Sequence, residues 1–165
     1  MDLMTGSSHE RLFAMAVHDI LASLDETTAW QEELYKHLHQ NPELSMQETQ
    51  TLAEIVKRLE SYGYDVIEVG GGCVGVLKNG AGRTVLFRAD IDALPVAEAT
   101  DLPYKSTRTA TDAQGKQVGV MHACGHDMHV ACGLGAAQLL AQHRDQWSGT
   151  YLALFQPGEE TAEGR

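Results

Sequence analysis

Nine consecutive residues, Met121-His122-Ala123-Cys124-Gly125-His126-Asp127-Met128-His129, carry one thiol, three imidazoles and a carboxylate. Thiolate and imidazole together are donors for zinc and other borderline divalent ions. Cys124 and His126 stand two apart, so an extended segment points both to one side. His126 and His129 stand three apart and share a face once a helix has begun. Two other readings fit the same stretch: a polar loop with incidental histidines, or a closed structural zinc site built from His122, Cys124, His126 and His129.

Two acidic clusters lie elsewhere in the chain. Asp90 and Asp92, in Arg88-Ala-Asp90-Ile-Asp92-Ala-Leu-Pro95, share a face of an extended segment. A turn-forming pair ahead of proline would use the same residues. Glu159 and Glu160 close Phe155-Gln-Pro-Gly-Glu159-Glu160. Being adjacent, they serve one site only if the loop bends, and adjacent surface acids are commonly just solvated.

The intervening sequence supplies elements that would position these groups. Apolar residues between Glu10 and Leu24 recur loosely at helical spacing, and Trp30, Leu34 and Leu38 continue it until Asn41-Pro42. Leu52, Ile55, Val56 and Leu59 mark a cleaner amphipathic helix that starts near Ser45 or Gln47, with Gly63 at its C-terminal end. The period then changes. Tyr64–Val69 and Cys73–Leu77 read as short strands separated by the turn Gly70-Gly71-Gly72. Asn79-Gly80 is a hairpin signal, and Thr84–Phe87 reads as a central strand.

Residues 97–119 are polar and irregular, as in a surface excursion. A helix is predicted from Asp127 to about His143, with Gly133 and Gly135 allowing close approach to a sheet. Tyr151–Phe155 reads as a further strand. This order predicts an α/β sandwich with a mixed, mostly parallel sheet and flanking helices. Asp90 and Asp92 follow one strand, Glu159 and Glu160 follow another, and the Cys/His loop opens a helix. Open α/β sheets bind their ligands beyond the carboxyl ends of the strands, which is where all three clusters would fall.

Composition narrows the function classes. At 165 residues with 43% apolar content, the chain can bury one ordinary core. A formal charge of -11 argues against nucleic acid or an anionic membrane as partner. Cys73, Cys124 and Cys132 are odd in number and form no C-x-x-C pair, which predicts free thiols in a reducing cytoplasm. No apolar run reaches the length of a membrane span, and the N-terminus does not read as a secretory signal.

Taken together, the Asp-x-Asp, His-x-Cys-Gly-His-Asp and Gly-Glu-Glu motifs resemble the metal-dependent amidohydrolases of the aminoacylase and carboxypeptidase clan. The similarity is to the branch of hippurate hydrolases and indole-3-acetyl-amino-acid hydrolases, and His39-Gln-Asn-Pro-Glu43-Leu-Ser matches it too. The resemblance implies that residues 1–165 are the N-terminal portion of one zinc-exopeptidase-like catalytic domain. That portion is an incomplete sandwich, without the lid and dimerisation domain or the C-terminal half.

It further implies that Cys124, His126 and Glu160 are metal ligands, with the thiolate able to bridge two ions. Glu159 would be the general base, and Asp92 would support a neighbouring ligand. Asp90 falls where other branches have a ligand histidine, so its role stays open. His122, Asp127 and His129 are typical of the branch without being assigned as ligands, and His129 reads more simply as a packed or hydrogen-bonded helix residue than as a ligand. The implied cofactor is one or two divalent ions, zinc first, with manganese, cobalt or nickel as alternatives. The implied substrate is an N-acyl amino acid, hydrolysed to a carboxylic acid and an amino acid, by a homodimer in the full-length form. With only three candidate ligands, the chain alone is expected to be inactive or very slow. A non-catalytic metal-binding or interaction module is the alternative.

Overall fold

The computed structural model describes residues 17–162. Helix α1 is Leu24–Gln40 and α2 is Thr49–Ser61. Strands β1 (Asp65–Val69), β2 (Gly72–Asn79) and β3 (Thr84–Asp90) come next. A small hairpin, β4 (Thr109–Thr111) with β5 (Gln117–Gly119), precedes α3 (His126–Gln142) and β6 (Gly149–Gln156).

The first part of the helix expected over Glu10–Leu24, residues 10–16, lies outside the described residues. Residues 17–21 are helical, a turn occupies 22–23, and Leu24 opens α1 instead of ending the preceding helix. Asn41 stops α1 as expected, its N–H closing onto the His37 and Leu38 carbonyls. Helix α2 starts later than expected, at Thr49. The Glu43 carboxylate reaches across to accept the N–H groups of Gln50 and Thr51 at 3.0 and 2.8 Å, and so caps it. Gly63, at φ +83, ends it.

Four strands form a mixed sheet in the order β1-β2-β6-β3. Strands β1 and β2 are a hairpin around Gly70 and Gly71, both at positive φ. Strand β2 pairs antiparallel with β6, and β6 pairs parallel with β3. Asn79-Gly80 therefore makes a turn without making a hairpin, because β6 inserts between β2 and β3. The run Thr84–Phe87 also differs from the central strand its apolar residues suggest. Among the described residues β3 is an edge, with Val85 and Leu86 more than half exposed.

The helices cover one face of the sheet. Tyr151, Ala153 and Phe155 alternate inward along β6 and meet Ile55 and Leu59 of α2 and Leu134 of α3 in one core. Each fully buried large side chain contributes roughly 1.5–3 kcal/mol from apolar burial. Gly133 lets α3 approach the sheet as expected, since a Cβ there would sit 2.9 Å from Phe87 and 3.3 Å from Phe155. Gly135 faces the Gln31 side chain of α1 instead.

The parallel pairing of β3 with β6 fixes the geometry of the site. Asp90, last in β3, stands opposite Gln156, last in β6, so the loops leaving both strands emerge at the same edge. Helix α3 connects the two strands and begins at His126.

Candidate active site

Asp92 is the hub of the site. It is 1% exposed and lies beyond the end of β3, with donors on its Oδ2. The Ser45 hydroxyl donates to Oδ2 at 2.6 Å and the Glu160 N–H donates to the same oxygen at 3.0 Å. His126 Nδ1 lies 3.0 Å from the Asp92 carbonyl oxygen and 3.2 Å from Oδ1. Burial by itself would raise the Asp92 pKa, but the bonds from His126, Ser45 and Glu160 outweigh it and hold the carboxyl at about 2. The same pairing with Asp92 lifts His126 to about 9 against the opposing effect of burial.

Both Asp92 atoms facing His126 are acceptors, so Nδ1 carries the hydrogen in either protonation state. In the neutral ring the lone pair is then on Nε2, the form in which a carboxylate-buttressed histidine binds a metal. Nε2 lies 3.8 Å from a carboxylate oxygen of Glu159. His126, Glu159 and Glu160 each bring a donor atom to within 4.8 Å of the others. A bend in the chain makes this possible: Gly158 at φ +62 and a single 3-10 turn, Glu159–Thr161, aim adjacent glutamates at one place. Cys124 is exposed and outside that group, and a hydrogen bond to the Glu160 carboxylate raises its thiol pKa. Imidazole, two carboxylates and a neighbouring thiol are a donor set that could hold a borderline divalent ion.

The remaining histidines of the Cys/His loop do different things. His122 is buried with neither ring nitrogen hydrogen-bonded, and burial pushes its pKa down to about 4. The His129 ring is half exposed, 5.3 Å from the His126 ring centroid, and its Nδ1 lies 3.9 Å from Asp90. No donor group among the described residues joins His122, Cys124, His126 and His129, which speaks against a closed zinc loop.

Several positioning residues escaped the sequence reading. Glu48, 4% exposed at the start of α2, accepts the Gly158 N–H at 2.8 Å and so ties down the loop ahead of Glu159; burial raises its pKa. Behind the site, His39 bridges two carboxylates, Nδ1 to Asp127 at 2.7 Å and Nε2 to Glu98 at 3.2 Å. Burial opposes a charge on His39, but the bonds to Asp127 and Glu98 prevail and raise its pKa. His39, Glu43 and Ser45 lie in the segment that matches the amidohydrolase branch, but their types alone gave no partner.

Residues 86–165 match peptidase family M20/M25/M40. That match spans just under half of the chain and likens it to the M20 peptidases. The chain is 43% identical over 132 residues to the N-acetyl-L-cysteine deacetylase of Bacillus subtilis, covering 78% of this chain and 30% of that protein. It is 42% identical over 136 residues to the hippurate hydrolase of Campylobacter jejuni, covering 81% of this chain and 33% of that one. Among solved structures it resembles the Bacillus subtilis YXEP protein, described as a dinuclear metal binding peptidase from the M20 family. That match has a TM-score of 0.74 at 37% identity, over 85% of this chain and 38% of that one. The chain thus spans about a third of the length of the M20 relatives it matches.

Proposed function

We propose that this chain is the metal-holding and proton-handling part of an M20 amidohydrolase that cleaves the amide bond of N-acyl amino acids. Relatives of this kind include a hippurate hydrolase and an N-acetyl-L-cysteine deacetylase. The observation that carries the reading is the orientation of His126. Its Nδ1 is committed to Asp92, and its Nε2 edge is turned toward Glu159 and Glu160.

In this reading Cys124, His126 and Glu160 hold one or two divalent ions. Zinc suits the donors best, and manganese, cobalt or nickel are compatible. When bound, the ion supplies Lewis acidity toward a carbonyl oxygen and water. Glu159 takes the proton of the attacking water on a carboxylate oxygen and returns it to the leaving amine. Asp92 keeps His126 in one tautomer and, through the Glu160 N–H, keeps that glutamate beside it. Small N-acyl amino acids are the substrates, the reducing cytoplasm is the setting that suits three unpaired thiols, and the full-length enzyme is a homodimer. Among the described residues no helix is long and apolar enough to cross a membrane.

Zinc titration of the purified chain tests the assignment, together with release of free amino acid from N-acetyl and N-benzoyl amino acids. Zinc binding that weakens on Glu160→Gln and on Cys124→Ser supports it. Binding indifferent to both substitutions removes the proposed ligand set, whatever the activity.

A further inference from the structure

We infer that His39 is held as an imidazolium that pins both ends of the Cys/His loop, and with them the spacing of Cys124 and His126. His39 is thereby a positioning residue for the ligands of the functional reading, on which only the zinc measurement below rests.

The charge follows from the partners. Nδ1 lies 2.7 Å from an Asp127 carboxylate oxygen, and Nε2 lies 3.2 Å from one of Glu98. A neutral imidazole has one N–H and one lone pair, so it would turn that lone pair on one of the two carboxylates. In each contact the proton belongs to the ring, the more basic partner. Glu98 also accepts from the Thr100 hydroxyl and the Ser106 N–H. Burial would raise its pKa, but these bonds prevail and hold the carboxyl below its ordinary range. Asp127 accepts the Met128 N–H on its other oxygen. The ring must therefore donate twice, which only the cation does. The Tyr35 and Tyr104 rings each stand 5.6 Å from the imidazole, a separation at which aromatic rings attract a cation. His122 acts on the ring electrostatically from the Cys/His loop.

The pin reaches that loop from two sides. Asp127 follows His126 in the first turn of α3, so its bond to His39 fixes the C-terminal end of the loop. On the other side Glu98 binds the Ser106 N–H, and the Ser106 hydroxyl donates to the Val120 carbonyl at 2.7 Å. Val120 is 1% exposed and directly precedes Met121. Residues 121–126, with Cys124 and His126 among them, hang between two anchors that converge on one buried ring. A bridge between Leu94 and Met121 also holds the N-terminal anchor, so losing His39 should loosen the loop without unfolding it.

Ring 15N spectra and amide hydrogen exchange of the metal-free full chain test this. At about pH 7.5, above the ordinary histidine range, both His39 nitrogens should carry a proton. A ring with one bare nitrogen overturns the inference. In His39→Gln the Val120 and His129 amides should exchange about tenfold faster or more, as expected for losing a charge-assisted bond. Glu98→Gln should speed only Val120 and Asp127→Asn only His129, which keeps the test alive if His39→Gln does not fold. Acceleration spread evenly over β2 and β6, or absent at both anchors, overturns the inference. Zinc affinity should fall about tenfold in His39→Gln. Wild type that binds zinc while the variant binds it equally well removes the positioning role. Wild type that binds no zinc sinks the functional reading, and the ring and exchange measurements still decide this one.

Discussion

Asp92 grips His126 twice, with its backbone carbonyl at 3.0 Å and its carboxylate at 3.2 Å from the same ring nitrogen. Asp92→Asn would keep the volume but set an amide in place of the charge. Zinc affinity measured by calorimetry is expected to fall about 10- to 100-fold, the usual effect of removing a carboxylate behind a metal-binding histidine. An unchanged affinity would show that the ring orientation is held by other means.

The same pair sets a pH window for the metal-free protein. His126 is raised from 6.5 to about 9, so its stabilising contribution is complete below pH 6.5 and fades as pH rises through 9. Asp92 is lowered from 3.8 to about 2, so its contribution is complete above 3.8 and fades as pH falls through 2. The Tm difference between wild type and His126→Asn, followed by circular dichroism without metal, should be widest between these limits, from pH 3.8 to 6.5, and shrink at either side.

Glu159→Gln separates proton transfer from metal holding. In an active M20 enzyme carrying this sequence, kcat should drop by about 100- to 10,000-fold while zinc content by elemental analysis stays the same. Retention of most of the turnover would take Glu159 out of the base role.

Glu48→Ala leaves the buried Gly158 N–H without its acceptor. A loss of about 1–3 kcal/mol in urea unfolding is expected, with weaker zinc binding because Gly158 aims Glu159 and Glu160. Stability lost without any change in zinc binding would make Glu48 a purely structural residue.

His39→Leu removes the imidazole that links Asp127 and Glu98, whose side chains are buried against the ring, and leaves each with its remaining donors alone. Breaking one partner out of a buried charged group costs about 3–5 kcal/mol, and thermal unfolding should register it. A cost below about 1 kcal/mol would mean that water replaces the imidazole.

Most of the element order was legible in the sequence because each element announces itself locally. The α2 stripe, the glycine turn between β1 and β2, and the start of α3 at the Cys/His loop are examples. What was not legible depends on contacts distant in sequence. The insertion of β6 between β2 and β3 leaves no local trace, so Asn79-Gly80 looks like a hairpin and β3 looks central. For the candidate site, residue types pointed to Asp92, His126, Glu159 and Glu160 without giving their partners. Glu48 and His39 were missed because an acid at a helix start and a histidine in a helix normally signify nothing beyond capping or solvation.

The Glu160 N–H ends on a carboxylate 68 residues earlier in the chain. That single amide is therefore a latch whose closure can be timed: its hydrogen exchanges with solvent deuterium only when the β6 loop swings away from Asp92. Zinc taken up through the adjoining side chain should slow that exchange, so one backbone probe reports occupancy with no substrate present.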